Sequence, residues 1–288
     1  MEVYEKAQEM RSALLAAHCA DLKVGFVPTM GALHEGHCQL IRKATSENDR
    51  VAISCYVNPT QFDRMENARV YPRELEKDLE IARRETVDFV FTPLDSEMYP
   101  PGDSTSVKVD SPVTRCYEGI IRPNFFDGVA RVVTKLLNII PADRVYFGEK
   151  DLQQFIAVRR MVKDLRLQHE IRPVAVQRDE KGVAYSSRNR KFSETDWATA
   201  RKVYELMNNA RNYANDISRQ DLFDRYVPRL KEAGLELQYL DVVRYPDYDP
   251  AWPADKNAIL IIAGYIGETR LKDNLPLHYS SIAELEGY

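Results

Sequence analysis

Short apolar runs along this chain alternate with segments in which apolar residues recur every three or four positions. The runs predict buried strands and the spaced pattern predicts amphipathic helices. Strands are predicted at residues 23–27, 50–57, 88–91, 144–147 and 170–176. Helices are predicted at residues 3–20, 38–44, 74–85, 128–140 and 152–165. This alternation is typical of a parallel sheet with helices on both faces, and a strand, a glycine turn and a helix open an α/β nucleotide-binding fold.

The pattern changes after residue 190. Two long polar helices are predicted at 193–214 and 219–233, followed by strands at 237–243 and 258–263. We therefore expect two domains, an α/β domain over residues 1–176 and a smaller α+β domain over 177–288, with the boundary segment at 177–192.

Composition excludes several classes of protein. The 288 residues contain 40 Lys and Arg against 44 Asp and Glu, a net charge of −4, so no basic surplus is present to bind nucleic acid. The longest apolar run, residues 258–266, is shorter than the ~20 residues that span a bilayer. No signal peptide is evident, and four widely spaced cysteines indicate a reduced protein rather than a disulfide or zinc framework. We expect a soluble cytoplasmic protein.

The segment PTMGALHEGH, residues 28–37, lies between a predicted strand and a predicted helix. His34 and His37 are three positions apart, which places both imidazoles on one face of a helical turn. The start of a helix presents unpaired N–H groups and the positive end of the helix dipole, which favour phosphate. Gly36 would let a base or ribose approach the backbone.

A zinc site and a purely structural turn are the alternatives for the two histidines. The zinc-protease pattern H-E-x-x-H needs a spacing of four, whereas His34 and His37 are three apart, and no third ligand is close in the sequence. A pair of histidines facing phosphate is the favoured interpretation.

Three other polar segments are candidate binding sites. Two of them lie at the ends of predicted strands, and the third lies at the domain boundary. They are FGEKDLQQ at 147–154, YSSRNR at 185–190 and NPTQF at 58–62. Lys150 suits a phosphate, the 185–190 segment suits a loop closing over a polyphosphate, and uncharged amides suit a hydroxyl or carboxylate. Taken singly, each is also typical of a solvated turn. No Walker A loop, G-x-G-x-x-G or G-x-S-x-G is present, so kinase, dehydrogenase and serine hydrolase functions lose support.

Together these segments resemble the pantothenate synthetase (pantoate–β-alanine ligase) family. Eight segments occur in the family's order between about residues 20 and 275: PTMGALHEGH, YVNPTQF, YPRELEKDL, FTPLDSEMYP, RPNFFDGVARVVTKLLNII, FGEKDLQQ, SSRN and GETRLKDN. The resemblance implies a Rossmann-like nucleotidyltransferase domain and a small C-terminal domain, in a cytoplasmic homodimer. It also implies that ATP, with Mg²⁺, activates pantoate as pantoyl adenylate with release of pyrophosphate, and that β-alanine then displaces AMP to give pantothenate.

The resemblance also assigns residues. Catalytic roles fall on His34, His37, Lys150 and Arg188, with His37 at the position the family treats as the proton donor. The ATP contacts are Met30, Gly31, His34, Gly36, His37, Gly148, Glu149, Lys150, Asp151, Gln177, Tyr185, Ser186, Ser187 and Arg188. The pantoate contacts are Asn58, Gln61, Gln154 and Arg122. Asp78 occupies the carboxylate position associated with magnesium.

The sequence departs from the family at several positions. Asn124 and Phe125 replace a glycine and a histidine, Arg131 replaces a small residue, and Tyr185 an apolar one. Because phenylalanine cannot donate a hydrogen bond, these changes bear on substrate preference and efficiency rather than on the fold. Two alternatives therefore stay open: a related nucleotidyltransferase acting on a phosphorylated alcohol, and a catalytically weak ATP-binding relative. The uncharged amides at 58, 61 and 154 argue against the first, and the intact histidines, Lys150 and Arg188 against the second.

Overall fold

A computed structural model describes residues 1–62, 68–213, 218–251 and 256–288. The chain divides into two compact units. The first comprises Met1–Phe147 and Gln153–Val174, and the second comprises Gly148–Leu152 and Ala175–Tyr288.

The first unit is built on a six-stranded sheet. Its strands are β1 (Glu2–Tyr4), β2 (Val24–Thr29), β3 (Arg50–Cys55), β4 (Phe89–Phe91), β5 (Arg144–Gly148) and β6 (Glu170–Val174). The strand order is β1-β4-β3-β2-β5-β6, and the pairs β1·β4, β4·β3, β3·β2 and β2·β5 run parallel. The central strands β2 and β3 are buried along most of their length because a parallel sheet is covered by helices on both faces.

Helices connect these strands. They are α1 (Ala7–Cys19), α2 (Glu35–Glu47), α3 (Leu75–Arg84), α4 (Asp95–Met98), α5 (Pro112–Arg115), α6 (Glu118–Ile121), α7 (Phe125–Ile139) and α8 (Leu152–Asp164). One core cluster joins Val27 and Ile53 of the sheet to Leu40 and Ile41 of α2 and Leu79 of α3. All five predicted strands and the parallel α/β architecture are confirmed.

The strand order positions the candidate site. Within the sheet, β3 lies on one side of β2 and β5 lies on the other, so the direction in which strands are added reverses at β2. Ligands of open parallel sheets bind outside the carboxyl ends of the strands at such a reversal. The histidine turn follows β2, the amide segment follows β3 and Gln154 follows β5, so three predicted groups leave the sheet at the same edge.

The prediction of one helix over residues 3–20 is wrong at its start. Residues 2–4 form β1, whose Val3 pairs with Val90 of β4, and the helix begins only at Ala7. A three-residue edge strand is held by a partner more than eighty positions away, so its own spacing of apolar residues gives no sign of it. The helices predicted at 38–44 and 128–140 begin earlier, at Glu35 and Phe125.

The second unit combines three strands with three helices among the described residues. They are α9 (Glu194–Tyr213), α10 (Arg219–Glu232), β7 (Glu236–Arg244), β8 (Ala258–Ile266), β9 (Thr269–Pro276) and α11 (Ile282–Glu286). The strands form an antiparallel sheet in the order β7-β8-β9, and residues of α9 and α10 pack into one core with it. The predicted α+β character is confirmed. Strand β9 and helix α11 were not predicted, and the predicted end of α9 at Ala214 lies outside the described residues.

Across the part of the chain that the structure describes, no helix combines the length and apolarity that a membrane crossing requires. Cys19, Cys38, Cys55 and Cys116 are all free thiols.

Candidate active site

The two histidines build the start of helix α2. His34 is the N-cap residue, in an extended conformation, and its Nδ1 accepts a hydrogen bond from Gly36 N at 3.2 Å. His37 reaches back so that its Nδ1 accepts from His34 N at 3.3 Å. The two rings lie side by side with centroids 4.0 Å apart. The prediction that both imidazoles share one face of a helical turn is confirmed.

These bonds decide which ring nitrogen carries the proton. A nitrogen that accepts a backbone N–H bond is unprotonated, so each neutral ring carries its hydrogen on Nε2. The turn therefore prepares two imidazole N–H donors at the positive end of a 13-residue helix. Such donors suit negative charge that develops on phosphoryl oxygens.

The backbone before the histidines is tightly held by a buried carboxylate. Asp78 of α3 accepts from Ala32 N at 2.9 Å through Oδ2 and from Leu33 N at 2.7 Å through Oδ1. Gly31 has a φ of +75°, and a Cβ there would come within 2.8 Å of Asp78 Oδ2. Ala32 is itself left-handed, at a φ of +51°, a strained conformation that these contacts hold in place. Residue 31 is thus required to be glycine, both because of its positive φ and because a Cβ would collide with Asp78.

These contacts give Asp78 a structural role beside the magnesium ligand role that the family resemblance implies. Its side chain is only 3% exposed and both its oxygens accept backbone N–H bonds. Within the described residues, no group of three His, Cys, Asp or Glu side chains is arranged to hold a metal ion. Asp78 therefore anchors the histidine turn through both of its carboxylate oxygens. Its assignment to magnesium stays a prediction.

Asp78→Asn separates the two roles. An amide keeps the shape but can accept from only one of the two N–H groups, and its NH₂ opposes the other. We expect the free energy of unfolding to fall by about 1–3 kcal/mol, the typical cost of an unsatisfied buried group. Urea denaturation measures that loss. A protein of unchanged stability whose activity needs much more magnesium would show instead that Asp78 is a ligand.

The amide segment after β3 forms a second buried cluster. Asn58, 1% exposed, donates through Nδ2 to Gln61 Oε1 and to Gly128 O, each at 3.1 Å. Its Oδ1 accepts from Tyr99 Oη at 2.7 Å and from Thr60 Oγ1 at 3.0 Å. The structure brings Asn58 and Gln61 together as predicted. Uncharged donors and acceptors of this kind bind hydroxyl groups without competing for phosphate.

The other two predicted pantoate contacts are Arg122 and Gln154. Arg122 donates from Nη2 to Gln61 O at 2.9 Å, so it joins the amide cluster. Gln154 lies in the first turn of α8 and is half-buried. Its neighbour Gln153 is 3% exposed and donates to Val113 O at 2.7 Å. Gln153 therefore has a structural role.

In the second unit, the Glu149–Asp151 segment is held by the C-terminal part of the chain. Glu149 is 1% exposed, and its carboxylate accepts from Ile282 N at 2.9 Å and Ala283 N at 2.8 Å, at the start of α11. Asn274 Nδ2 donates to Glu149 O at 2.9 Å and to Lys150 O at 3.2 Å. The backbone on either side of Lys150 is therefore fixed.

Neighbouring charges act on Lys150 and Asp151. Burial alone would raise the pKa of Asp151, but Lys272, at 2.6 Å from its Oδ1, and Lys150 bring it well below its usual range. Burial lowers the pKa of Lys150; the positive charges of Lys272 and Arg188 add to this effect, while Asp151 opposes it. An anionic ligand would reverse that shift, so the segment is suited to phosphate.

The third predicted group lies beside this segment. Ser186 Oγ accepts from Arg188 N at 3.3 Å and begins a short 3₁₀ helix, Ser187–Lys191. Tyr185 N donates to Gln177 O at 3.0 Å, which places two more predicted residues opposite each other at the base of the loop. An open pocket within this unit is lined by Lys150, Ser186, Asn189, Arg270 and Lys272, among others. The structure thus brings the Lys150 and Ser186 segments together, with two cations that were not predicted.

The residues that the sequence analysis missed come from β9. Lys272 pairs with Asp151, and Asp273 receives two hydrogen bonds from Arg178 at 2.6 and 2.9 Å, next to Asn274. These residues belong to the segment GETRLKDN, which lies more than a hundred residues after Lys150. In the folded chain β9 pairs with β8, and its Lys272 and Asn274 contact the 149–151 segment.

A family model described as pantoate-beta-alanine ligase matches residues 2–276. The chain belongs to the pantoate–β-alanine ligase family. The ligase is 39% identical to the pantothenate synthetase of Caldicellulosiruptor saccharolyticus, over 96% of this chain and 99% of that protein. It is 40% identical to that of Aquifex aeolicus, over 94% and 97%.

Solved structures agree with this assignment. The crystal structure of pantothenate synthetase from Thermus thermophilus matches the ligase with a TM-score of 0.91 at 38% identity, over 97% of this chain and 100% of that one. The enzyme from Francisella tularensis, described as complexed with beta-gamma ATP and beta-alanine, matches with a TM-score of 0.83 at 33% identity, over 97% and 98%. The predicted Rossmann-like fold with a small C-terminal domain is confirmed.

The unusual residues of the ligase have defined surroundings. Phe125 is buried at 5% exposure at the start of α7, whereas Asn124 is exposed. Arg131 pairs with Asp103 at 3.1 Å, and its guanidinium lies 5.0 Å from the centroid of the Tyr99 ring. Arg131 is therefore tied to a side chain that itself donates to Asn58.

Proposed function

We propose that the ligase condenses pantoate with β-alanine through a pantoyl adenylate, with release of pyrophosphate and AMP. The observation that carries the proposal is the histidine turn, in which two backbone bonds fix the Nε2–H of His34 and His37 as donors at a helix start. Family membership, and the nucleotide and β-alanine named for the Francisella enzyme, support ATP and β-alanine as substrates.

In the first step, a carboxylate oxygen of pantoate attacks the α-phosphorus of ATP and pyrophosphate leaves. Negative charge builds on the phosphoryl oxygens and on the departing pyrophosphate. We assign the imidazole N–H groups of His34 and His37, the ammonium of Lys150 and the guanidinium of Arg188 to stabilising that charge. Met30, Gly31, Gly36, Gly148 and Ser187 are assigned to contacts with the nucleotide, and the two glycines of the histidine turn would let it approach the main chain closely.

In the second step, the neutral amine of β-alanine attacks the acyl carbon. The bond from that carbon to the phosphate oxygen breaks, AMP leaves and the nitrogen loses a proton. Gln61 and Gln154 are assigned to the hydroxyl groups of pantoate, because amides can both donate to and accept from a hydroxyl. Asn58, whose amide is fully bonded within the cluster, is assigned to holding Gln61, and its own contact with pantoate stays a prediction. Arg122 is assigned to the same substrate. Magnesium and a homodimer stay predictions from the family resemblance, as does a cytoplasmic location.

AMP release tests the proposal. The ligase is incubated with ATP and magnesium, and with pantoate and β-alanine added singly and together. We expect AMP and pantothenate in equal amounts only when both are present. Transfer of a nucleotide onto a phosphorylated alcohol would identify the alternative nucleotidyltransferase. The absence of AMP from a folded protein that binds ATP would mean a changed substrate or a lost activity, which other hydroxy acids and amines would distinguish.

A further inference from the structure

Phe125 and Arg122 stack on each other. The guanidinium carbon of Arg122 lies 3.9 Å from the centroid of the Phe125 ring. A tight turn sets this geometry, because Phe125 N donates to Arg122 O at 3.0 Å. The ring is almost fully buried, whereas the guanidinium lies across its face. A cation over an aromatic face is attracted to it, most strongly where water is displaced.

The edge of the same guanidinium holds the amide cluster. Arg122 Nη2 donates to Gln61 O at 2.9 Å, and the Gln61 side chain accepts from Asn58. Ring, guanidinium, Gln61 and Asn58 thus form one continuous set of contacts within the first unit. A side chain fixed both at its face and at its edge loses rotational freedom before any ligand arrives, which favours binding.

We propose that Phe125 is a positioning residue that sets the affinity of the ligase for its hydroxy acid by fixing Arg122 beside Gln61. This rests on the proposed function, in which Arg122 and Gln61 contact pantoate and Asn58 holds Gln61. The effect is on binding of the acid, because none of these contacts involves the residues assigned to the nucleotide.

Phe125→Leu tests the proposal, because leucine stays apolar and buried but has no ring face. We expect the KM for pantoate to rise roughly 3- to 30-fold, the equilibrium equivalent of a cation–π contact, with kcat and the KM for ATP changed less than about twofold. Phe126→Leu is the matched control. Phe126 is the next residue, equally buried at 3% exposure, and of the two rings it is Phe125 that is stacked with Arg122.

A double-mutant cycle shows whether Phe125 acts through Arg122. We expect Arg122→Ala to raise the KM for pantoate and the addition of Phe125→Leu to raise it no further, because the guanidinium is already gone. Thermal unfolding of all four proteins checks that they are folded. If Phe125→Leu does not fold, Phe125→Met and Phe126→Met provide the same comparison with a larger side chain.

Besides a Phe125→Leu ligase with normal kinetics, two results would overturn the proposal. One is an equal change of KM in the Phe125 and Phe126 variants, which would mean general loosening of α7. The other is full additivity of the Phe125 and Arg122 substitutions, which would mean independent roles. The unmodified ligase is measured in the same assay. If it forms no pantothenate, the proposed function fails, and if it is active while Phe125→Leu behaves normally, only this inference fails.

Discussion

His37→Ala is expected to lower the rate of adenylate formation by about 10²–10³-fold, the usual cost of removing one preorganised donor to a developing oxyanion. The reason is that Nδ1 of His37 is occupied by His34 N, so the ring is fixed with Nε2–H as its donor. Pre-steady-state release of pyrophosphate from ATP and pantoate, without β-alanine, measures this step alone.

The substitution also removes a bond at the start of α2, so stability is measured beside activity. Losing a cap costs about 1 kcal/mol, which leaves a folded protein. His278→Ala is the matched control, since His278 is exposed and lies far along the chain from the turn. A folded His37→Ala ligase that releases pyrophosphate at the normal rate would contradict the assignment.

Lys150→Ala is expected to lower kcat/KM for ATP by roughly 10²-fold or more, because it removes a charge-stabilising donor from a segment that is fixed before the ligand binds. Asn274 holds the carbonyls of residues 149 and 150, and Glu149 is tied to the start of α11. The backbone around residue 150 therefore cannot shift to compensate for the loss of the ammonium group.

Lys181→Ala supplies the comparison for Lys150. Lys181 is an exposed lysine of the same unit, and it is absent from the residues lining the Lys150 pocket. Steady-state kinetics at varied ATP, with the KM for β-alanine as a second readout, distinguish a loss at the nucleotide from a general loss. Equal kinetics for the two variants would remove Lys150 from the nucleotide contacts.

The sequence predicted those parts of the fold that depend on local pattern. The strands of the parallel sheet are short apolar runs, and the two long polar helices of the second unit have helical spacing over four or more turns. The pairing of His34 with His37 also followed from their spacing. Strand β1 could not be predicted this way because its three residues, EVY, form no apolar run, whereas β4, equally short, reads FVF. Strand β9 was missed because its stretch from Arg270 to Asp273 is largely polar.

The supporting contacts of the site were the least predictable part. The family resemblance associates Asp78 with magnesium, but the sequence does not show which groups donate hydrogen bonds to this carboxylate. Its bonds to Ala32 and Leu33 exist only once α3 packs beside the histidine turn. Likewise, the sequence shows only that Phe125 has no hydrogen-bonding group. The contact between its ring and Arg122 is evident only in the structure.

The most direct test of the adenylate mechanism follows the oxygen atoms of pantoate. Pantoate labelled with ¹⁸O in its carboxylate is converted by the ligase with ATP and β-alanine, and the AMP is analysed by mass spectrometry. If the carboxylate attacks the α-phosphorus, the amine later breaks the bond between carbon and oxygen, so each AMP carries one labelled oxygen. Unlabelled AMP, or label in orthophosphate formed together with ADP, would contradict the mechanism.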